Sequence, residues 1–332
     1  MSSSPFVSII VPFYKNELYL KGCVSYCEKL DYPCFEIIIV ANSDPIVAGD
    51  KIKWLKIDEI AQGSKKDAGA ANAAGEIIAF VDDDAFPRND WLRNAVKYFE
   101  DPTVGAVCGP GVAPFHQAIL EKASSAIWDS PLGSGPARYR YVPTKMFFVD
   151  GEAPGYNLFV RCSLFLKIGG IAAKFRAGED AILAEKIRRS GMKIVYAPDV
   201  VVYHRRRPLF MPFLQQIMTY GMHRGFFLKR FPNTSNQGDL LFTLPLFHAL
   251  AFGIISIIAL FGPASLQPWL RVLLALDLGI YLTSSFLSGL LVSKNVLSAL
   301  IAMIGIPLTH FTFAIGYVRG FIINELGEKP SY

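Results

Sequence analysis

Short apolar runs alternate with amphipathic segments along the first 110 residues of the chain. The apolar runs are rich in β-branched side chains, as buried strands are, and the segments between them have helical periodicity. Continuous apolar strands that alternate with helices predict a parallel sheet covered on both faces, and therefore an α/β domain. The predicted strands are 6–12, 35–41, 76–81 and 104–109, and the predicted helices are about 16–30, 64–74 and 90–99.

The alternation is lost between residues 113 and 145, where Pro and Gly recur, and we interpret the stretch GSGPARYRYVP as a surface loop. It resumes with the strand-like runs MFFVDG and GYNLFV. A helix is then predicted to begin at the sequence GED, residues 178–180, and to end at Gly191, before two more strands at 193–197 and 200–204. Ligands of parallel sheets bind at the carboxyl ends of strands, so polar residues that directly follow a strand are candidate site residues.

The C-terminal part of the chain is much more apolar than the rest. Hydrophobic residues make up 52% of the sequence, and they concentrate in long runs after residue 240. About 20 apolar residues in a helix cross a bilayer. We predict transmembrane helices at about 241–261, 269–292 and 296–323; a hydrophobic helical core domain is the alternative interpretation.

The loops around these helices predict an orientation. The loop after the first predicted span has no basic residue, whereas the loop after the second contains Lys294 and the segment before the first is strongly basic. By the positive-inside rule, the N-terminal domain of this integral membrane protein lies on the cytoplasmic face. The run FVSIIV is too short for a signal peptide, and the five cysteines form no paired metal motif, so we expect them to be reduced and structural.

The net charge of +5 has its main source between residues 204 and 238. Basic and aromatic side chains interleave there, which is typical of sequence that lies on an anionic membrane surface. A nucleic-acid surface is the competing interpretation, but the adjoining membrane helices argue against it, and we expect no nucleic-acid partner. The predicted organisation is a domain at 1–203, a membrane-interface segment at 204–238 and a membrane region at 239–332.

Three consecutive carboxylates, Asp82, Asp83 and Asp84, directly follow the third predicted strand. Adjacent like charges repel, so a positive group is expected beside them. A D-x-D pair at the end of a strand offers hard oxygen ligands, which suit Mg²⁺ or Mn²⁺, and such an ion could bridge two phosphates. The alternative is an Asx-rich turn that caps the next helix.

The run GSKKDAGAANAAGEIIAFVDDDAFPRNDWL, residues 63–92, resembles the nucleotide-sugar segment of family 2 inverting glycosyltransferases. The later segments GYNLFVRCSLFLKIGG and GEDAILAEKIRRSGMKIVYAPDVVVYH resemble the acceptor half of the same family, and the agreement extends in order over roughly residues 6–225. The resemblance implies a GT-A fold, a Rossmann-like nucleotide-diphospho-sugar transferase domain, followed here by the helical transmembrane region. It also implies that Asp82, with Asp83 beside it, contacts the donor and that Asp84 ligates the metal.

A second candidate centre is the Glu179–Asp180 pair. A hydroxyl is a poor nucleophile near pH 7, so its attack on an anomeric carbon needs a carboxylate that accepts the proton. The family has such a base in an E-D pair that opens a helix, which implies Asp180 as the base, with Glu179 beside it. The alternative role is helix capping, since the helix dipole favours acids there. His204 could be a further metal ligand, because a neutral imidazole binds divalent ions, or else a satisfied buried histidine.

Other donor contacts follow from the resemblance or from charge. Guanidinium groups of the run Arg205 to Arg207 match phosphate oxygens, although three adjacent arginines cannot all point one way. The family usually has a base-reading aspartate where this chain has Ala41, so Asn42 or Asp44 is expected to substitute, and the nucleotide stays open. The predicted donor set is Pro12, Tyr14, Glu17, Asn42, Lys66, Asp67, Asp82, Asp83, Arg205 and Arg207, with Lys65 as a weaker candidate.

These expectations define an enzyme that moves a sugar from a UDP-, GDP- or dTDP-sugar, with inversion, to a hydroxyl of a lipid-linked saccharide or glycolipid. A polyprenyl monophosphate is the alternative acceptor, but it is already an anion and needs no strong base. A processive synthase is disfavoured because the sequence QIMTY, Gln216–Tyr220, lacks the Arg and Trp of the Q-x-x-R-W motif. A membrane scaffold without catalysis remains the non-enzymatic alternative, although Asp82, Asp84 and Asp180 are all present.

Overall fold

The computed structural model describes residues 4–59, 61–172, 178–234 and 244–326. The chain divides into two compact units. The first contains the chain up to Pro114 and the segment Tyr139–Arg205, and the second contains Phe115–Arg138 and Arg206–Leu326.

The strands all belong to the first unit. They are β1 Val7–Pro12, β2 Phe35–Ala41, β3 Ile52–Lys56, β4 Ile77–Val81, β5 Ala85–Pro87, β6 Val104–Cys108, β7 Gly111–Val112, β8 Phe147–Phe148, β9 Asn157–Arg161, β10 Lys193–Tyr196 and β11 Val202–His204. The helices of both units are α1 Glu17–Cys27, α2 Gln62–Ala71, α3 Trp91–Val96, α4 Ile119–Asp129, α5 Pro131–Ser134, α6 Cys162–Lys167, α7 Glu179–Arg189, α8 Met211–Arg230, α9 Leu244–Phe261, α10 Gln267–Ser293 and α11 Val296–Ile322.

Eight strands form the main sheet, in the order β3-β2-β1-β4-β9-β6-β10-β8. The predicted α/β domain is confirmed, and the alternating side chains of its strands feed one apolar core on each face. The sheet is mixed rather than wholly parallel, because β9 runs antiparallel between β4 and β6 and β8 runs antiparallel to β10. Sequence analysis missed β3, since its residues IKWLK alternate only weakly and are half-buried at the sheet edge.

A second sheet of three short strands has the order β5-β11-β7. In it β11 pairs antiparallel with β5, with His204 opposite Ala85. Asn157 is fully buried and donates to the carbonyls of Pro110 (3.1 Å) and Val200 (2.8 Å), and it accepts from the Trp91 indole at 2.8 Å. Asn157 is the first residue of β9, so these bonds join the main sheet to the segments that lead into β7 and β11 of the small sheet.

The region 113–145, where the alternation is lost, contains helices that sequence analysis did not predict, and the stretch 133–143 interpreted as a surface loop is helical in its first half. Residues 119–129 form α4, and Gly135–Arg140 form a 3-10 helix. The Arg140 side chain is only 16% exposed and Tyr139 packs edge-on against Tyr196 with ring centroids 5.4 Å apart. Gly and Pro ended the recognisable periodicity there, whereas tertiary contacts leave residues 137–140 half-buried and bury Tyr141.

Within the second unit, α9, α10 and α11 are long and apolar enough to cross a membrane. Their bounds agree with the predicted spans, except that residues 241–243 of the first prediction lie outside the described residues. The interface segment contains α8, which packs along α11 through two matched pairs of glycines, Gly221 and Gly225 on α8 and Gly316 and Gly320 on α11. Small residues four apart let two helix backbones approach closely.

Gly225→Ala is expected to loosen the pairing of α8 with α11. A Cβ at that position would lie 2.0 Å from the Tyr317 carbonyl oxygen, a backbone atom that cannot rotate away. Overpacking of this kind costs about 1–3 kcal/mol, which a thermal melt of the detergent-solubilised protein would show as a lower midpoint. Gly253→Ala and Gly279→Ala are matched controls, because a Cβ there meets no atom within 4 Å. Equal midpoints for all three variants would contradict the proposed close contact.

Candidate active site

The carboxyl ends of β1 and β4 lie side by side in the main sheet. The chain proceeds from β1 to β2 and β3 on one side and then returns to β4 on the other, so the strand order reverses between β1 and β4. A crevice forms at such a reversal, and ligands of α/β sheets bind there. Tyr14 follows β1 and the acidic triplet follows β4, and the Tyr14 amide lies 3.5 Å from an Asp83 carboxylate oxygen.

Asp82, Asp84 and His204 come together at this edge. One ligand atom from each lies within 4.8 Å of the other two, and His204 Nε2 is 3.3 Å from Asp84 Oδ1. The pairing of β11 with β5 produces this proximity across 120 residues of sequence, and the ring of Tyr156 stacks on His204 at 4.4 Å between centroids. Two carboxylates and an imidazole suit a hard or borderline divalent cation, so the residues fit the Mg²⁺ or Mn²⁺ expected from the sequence.

The surroundings of Asp82 and Asp83 disfavour the ionised form of their carboxyl groups. Burial, followed by repulsion from Asp84 and Asp82, raises the pKa of Asp83 to about 7. Burial also raises the pKa of Asp82, against the attraction of Lys66. Desolvated like charges disfavour ionisation, and a bound cation would relieve that penalty. Gln62, which sequence analysis did not single out, donates to Asp82 Oδ1 at 2.8 Å and orients it.

Lys66 and Glu179 form a buried ion pair at 3.1 Å, with side chains 2% and 7% exposed. Lys66 also donates to the Gly155 carbonyl at 3.1 Å. Burial alone would lower the pKa of Lys66, but Glu179, Asp82 and Asp180 outweigh it and raise that pKa. Lys66 therefore supplies positive charge to a cluster of three carboxylates, and its ammonium is paired with the Glu179 carboxylate.

Lys66→Met is expected to destabilise the protein by about 3–5 kcal/mol, because it leaves Glu179 charged and unpaired in a buried position. The measurement is a denaturant or thermal unfolding curve of the solubilised protein. The double variant Lys66→Met/Glu179→Gln should regain a large part of the loss, since the uncompensated charge is gone. Lys21→Met is the control: its pair with Glu17 at 3.3 Å is half-exposed, and such pairs contribute at most about 1 kcal/mol. A Lys66→Met loss as small as that of the control would contradict this account.

Asp180 forms an ion pair with an arginine that sequence analysis did not single out. Arg140 donates to Asp180 at 2.9 Å and to Glu152 at 3.1 Å, and all three side chains are largely buried. A second Asp180 oxygen accepts the Ala181 amide at 3.0 Å. The signal lay in GSGPARYRYVP, where an arginine between two tyrosines is unusual for a loop tip, but nothing local related it to Asp180.

Lys65 contacts the two residues that follow β1, Phe13 and Tyr14. Its ammonium donates to the Phe13 carbonyl and sits 4.1 Å from the centroid of the Tyr14 ring. Burial lowers the pKa of Lys65 to about 8, although Asp83 opposes the shift. Lys65 therefore orders Tyr14 beside the triplet, and Pro12 ends β1 in a buried position just before it.

Other predicted donor residues have different surroundings. Asp67 accepts the backbone amides of Ile171 (2.7 Å) and Ala172 (2.9 Å), so it caps a loop. Glu17 pairs with Lys21, and Asp44 pairs with Lys56 at 2.8 Å. Asn42 is exposed at the end of β2. Their contacts with a nucleotide remain predictions.

The arginine run divides between the two units. The Arg205 guanidinium lies 4.6 Å from the centroid of the Tyr19 ring, and its amide is 3.3 Å from the Asp84 carbonyl oxygen. Arg206 is buried and Arg207 is exposed in the second unit, where the Arg207 carbonyl accepts the Ser124 hydroxyl at 2.7 Å. Of the three, Arg205 is the one that belongs to the same unit as the acidic cluster.

Residues 8–162, just under half of the chain, match the sequence model described as Glycosyl transferase family 2. The chain is 26% identical over 227 residues to Glycosyltransferase AglE of Haloferax volcanii, which is 62% of this chain and 69% of that protein. It is 23% identical over 246 residues to a Methanococcus voltae protein named dolichyl N-acetyl-alpha-D-glucosaminyl phosphate 3-beta-D-2,3-diacetamido-2,3-dideoxy-beta-D-glucuronosyltransferase, 68% of this chain and 74% of that protein. It also matches the Pre-mycofactocin glycosyltransferase of Mycobacterium tuberculosis at 24% identity, but over only 46% of that protein's length.

A solved structure shares the fold. The mannosyltransferase PcManGT from Pyrobaculum calidifontis, in complex with GDP-Man and Mn²⁺, superposes with a TM-score of 0.57 at 19% sequence identity. The match covers 98% of this chain and 89% of that one. This likeness supports a GT-A-like domain with a helical C-terminal region.

Proposed function

Because residues 8–162 form a glycosyl transferase family 2 domain, we propose that the chain is a metal-dependent inverting transferase that moves a sugar from a nucleoside-diphosphate donor to a hydroxyl group of a lipid-linked saccharide or glycolipid. The observation that carries the proposal is the convergence of Asp82, Asp84 and His204 at the sheet edge where the strand order reverses. The three side chains come from two distant segments, and two carboxylates with an imidazole are ligand types that suit Mg²⁺ or Mn²⁺.

The donor end of the site is assigned to the triplet and its neighbours. Asp82, Asp84 and His204 would hold the cation, which when bound supplies charge stabilisation for a diphosphate leaving group. Gln62 fixes Asp82, and Tyr156 fixes the His204 ring by stacking. Tyr14, with Lys65 behind it, lies across the adjacent strand end and is suited to contact the nucleoside.

Asp180 is assigned as the base that accepts the proton of the acceptor hydroxyl. Its carboxylate is oriented at the first turn of α7 by Arg140 and by the Ala181 amide. Arg140 is a positioning residue in this scheme, because it holds the base while Glu152 holds Arg140 itself. Glu179 is a less suitable base, since its carboxylate is occupied by Lys66 in a buried pair.

Attack by a hydroxyl from the Asp180 side, opposite to the leaving diphosphate, would form the new glycosidic bond with inverted anomeric configuration. The proton of the hydroxyl passes to Asp180, and the electron pair of the broken bond leaves with the nucleoside diphosphate. An acceptor hydroxyl needs such a base, whereas a polyprenyl monophosphate does not. The name of the Methanococcus voltae relative describes transfer to a sugar on dolichyl phosphate, which favours the same acceptor class here.

The test is a donor screen with the purified protein reconstituted in a membrane lipid extract. UDP-, GDP- and dTDP-sugars carrying a radiolabelled sugar are offered with and without EDTA, and the product is partitioned into organic solvent. We expect an organic-soluble product from one nucleotide class, abolished by EDTA and restored by Mn²⁺ or Mg²⁺. Donor binding without transfer or hydrolysis under every condition would favour the scaffold alternative.

A further inference from the structure

Tyr156 contacts both centres of the candidate active site. Its ring stacks on the ring of His204, with centroids 4.4 Å apart and an interplanar angle of 21°. Its hydroxyl donates to the Arg140 carbonyl at 2.6 Å. His204 belongs to the cluster that suits a cation, and Arg140 donates to the Asp180 carboxylate at 2.9 Å. One side chain in the first unit therefore connects the candidate metal ligand to the candidate base.

The Tyr156 ring occupies a space that a glycine leaves open. A Cβ at Gly111, in β7, would lie 2.5 Å from Tyr156 Cε2 and 3.1 Å from the His204 Cβ. The first distance is too short for a real contact, so a larger residue there would push the ring out of its position. The parallel pairing of β7 with β11, the strand that ends at His204, brings this glycine beside both rings.

The residues on either side of Tyr156 are themselves held in place. The Gly155 carbonyl accepts the buried Lys66 ammonium at 3.1 Å, and a Cβ at Gly155 would lie 3.1 Å from the Asp180 Cβ. Asn157 is fully buried, and its side-chain amide makes hydrogen bonds on both its oxygen and its nitrogen. Because the backbone is fixed on both sides, the ring and the hydroxyl of Tyr156 are presented at defined positions.

We propose that Tyr156 is a positioning residue that acts on both centres through different parts of its side chain. The ring keeps the His204 imidazole in place as a ligand for the cation, and the hydroxyl holds the backbone of Arg140 and, through its guanidinium, the Asp180 carboxylate. The proposal rests on the proposed function for the roles of His204 and Asp180. It adds that metal affinity and base position depend on one residue and can be separated by removing its hydroxyl alone.

Tyr156→Phe removes the hydroxyl and keeps the ring. We expect the affinity for Mn²⁺ to stay within about twofold of that of the unmodified protein. We expect kcat to fall by about three- to tenfold, the effect of one lost hydrogen bond, with the donor KM unchanged. Hydrogen–deuterium exchange of the segment 135–145 should become faster, because the Arg140 carbonyl loses its partner; this measurement needs no enzymatic activity.

Tyr156→Leu removes the ring as well. We expect the affinity for Mn²⁺ to fall by about tenfold, since the groups that orient a metal-ligating histidine commonly change metal affinity by about 10–100-fold when they are removed. Mn²⁺ alone is titrated into the full-length protein in phosphatidylcholine nanodiscs, and the free ion is followed by electron paramagnetic resonance. A thermal melt of each variant reports whether the fold is retained.

Tyr32→Phe and Tyr32→Leu are the matched controls. Tyr32 is half-buried like Tyr156, and its hydroxyl donates to a backbone carbonyl, that of Pro5, at 2.7 Å. Pro5 precedes β1, so this bond lies at the opposite end of that strand from the candidate site. Both controls should leave the Mn²⁺ affinity, kcat and the exchange of segment 135–145 unchanged.

The proposal is overturned by an unchanged Mn²⁺ affinity in Tyr156→Leu, by unchanged kcat and exchange in Tyr156→Phe, or by equal losses in the Tyr32 controls. If Tyr156→Leu does not fold, Tyr156→Phe still decides through its exchange and its retained Mn²⁺ affinity. Failure of the proposed function is distinguishable. Sugar transfer that is equally fast in all variants would remove the role of Tyr156 and leave the function standing. The expected changes in Mn²⁺ affinity and exchange in a protein that transfers no sugar would do the reverse.

Discussion

Asp180→Asn is expected to reduce sugar transfer by about 10²–10⁴-fold, the contribution of a positioned general base. Asparagine has nearly the same shape as aspartate and keeps one acceptor oxygen, so it can retain one of the two bonds that Arg140 and the Ala181 amide make to separate Asp180 oxygens at 2.9 and 3.0 Å. It cannot take up the proton of the attacking hydroxyl. The loss should therefore fall on kcat, and the donor Kd should stay within about twofold, because an interaction made only in the transition state is removed.

The matched control is Glu185→Gln, which neutralises another carboxylate on the same helix. Glu185 pairs with Arg188 and Arg189 rather than with groups of the site. Single-turnover transfer and donor binding by isothermal titration are measured for both variants. Transfer by Asp180→Asn close to that of the unmodified protein would exclude it as the base, and Glu152, which shares Arg140 with it, would be the next carboxylate to test.

Asp84→Ala is expected to weaken metal-dependent donor binding by about 10–100-fold, which corresponds to the loss of one charge-assisted contact. The alanine removes an oxygen ligand from the set formed with Asp82 and His204, and it leaves the short β5–β11 pairing in place, since the Asp84 contact to Arg205 is made by its backbone carbonyl. Donor titration with Mn²⁺ and with EDTA measures the difference. In EDTA, the unmodified protein and the variant should bind donor with similar, weak affinity.

Asp101→Asn provides a control for this experiment, because Asp101 is an exposed carboxylate that bonds Thr103 in a surface turn. It should bind the donor like the unmodified protein in both conditions. An Asp84→Ala variant whose donor affinity still rises with Mn²⁺ by the original factor would show that the cation is held elsewhere. That result would remove the observation on which the proposed function depends.

Local sequence identified the residues that need only a short-range reason. The triplet Asp82–Asp84 could be recognised because it follows a buried strand, and Asp180 because the E-D pair that opens the predicted helix resembles that of the family. Both are properties of a few consecutive residues. The glycine pairs 221/225 and 316/320 were equally readable from their spacing, but each was hidden in a segment interpreted by its charge or hydropathy alone.

Arg140, Gln62 and Tyr156 were not predicted, because their importance comes from partners far away in sequence. Arg140 reaches Asp180 across 40 residues, and Gln62 reaches Asp82 across 20. For Asp67 the sequence context implied a donor contact, which stays a prediction; the structure adds that its two oxygens accept the Ile171 and Ala172 amides, which no local pattern indicated. A residue type and its neighbours do not specify which of several polar partners a side chain reaches.

By itself, the sequence determined the α/β class, the three apolar helices and the acidic and basic centres, because periodicity, hydropathy and charge are additive over neighbouring residues. Only the tertiary structure decided that β9 inserts antiparallel beside β4, that His204 faces Asp84 across the small sheet, and that Lys66 neutralises Glu179. The physical reason is that pairing is non-local: strand order and burial depend on how distant segments share one core, and a carboxylate's role depends on which cation that packing sets beside it.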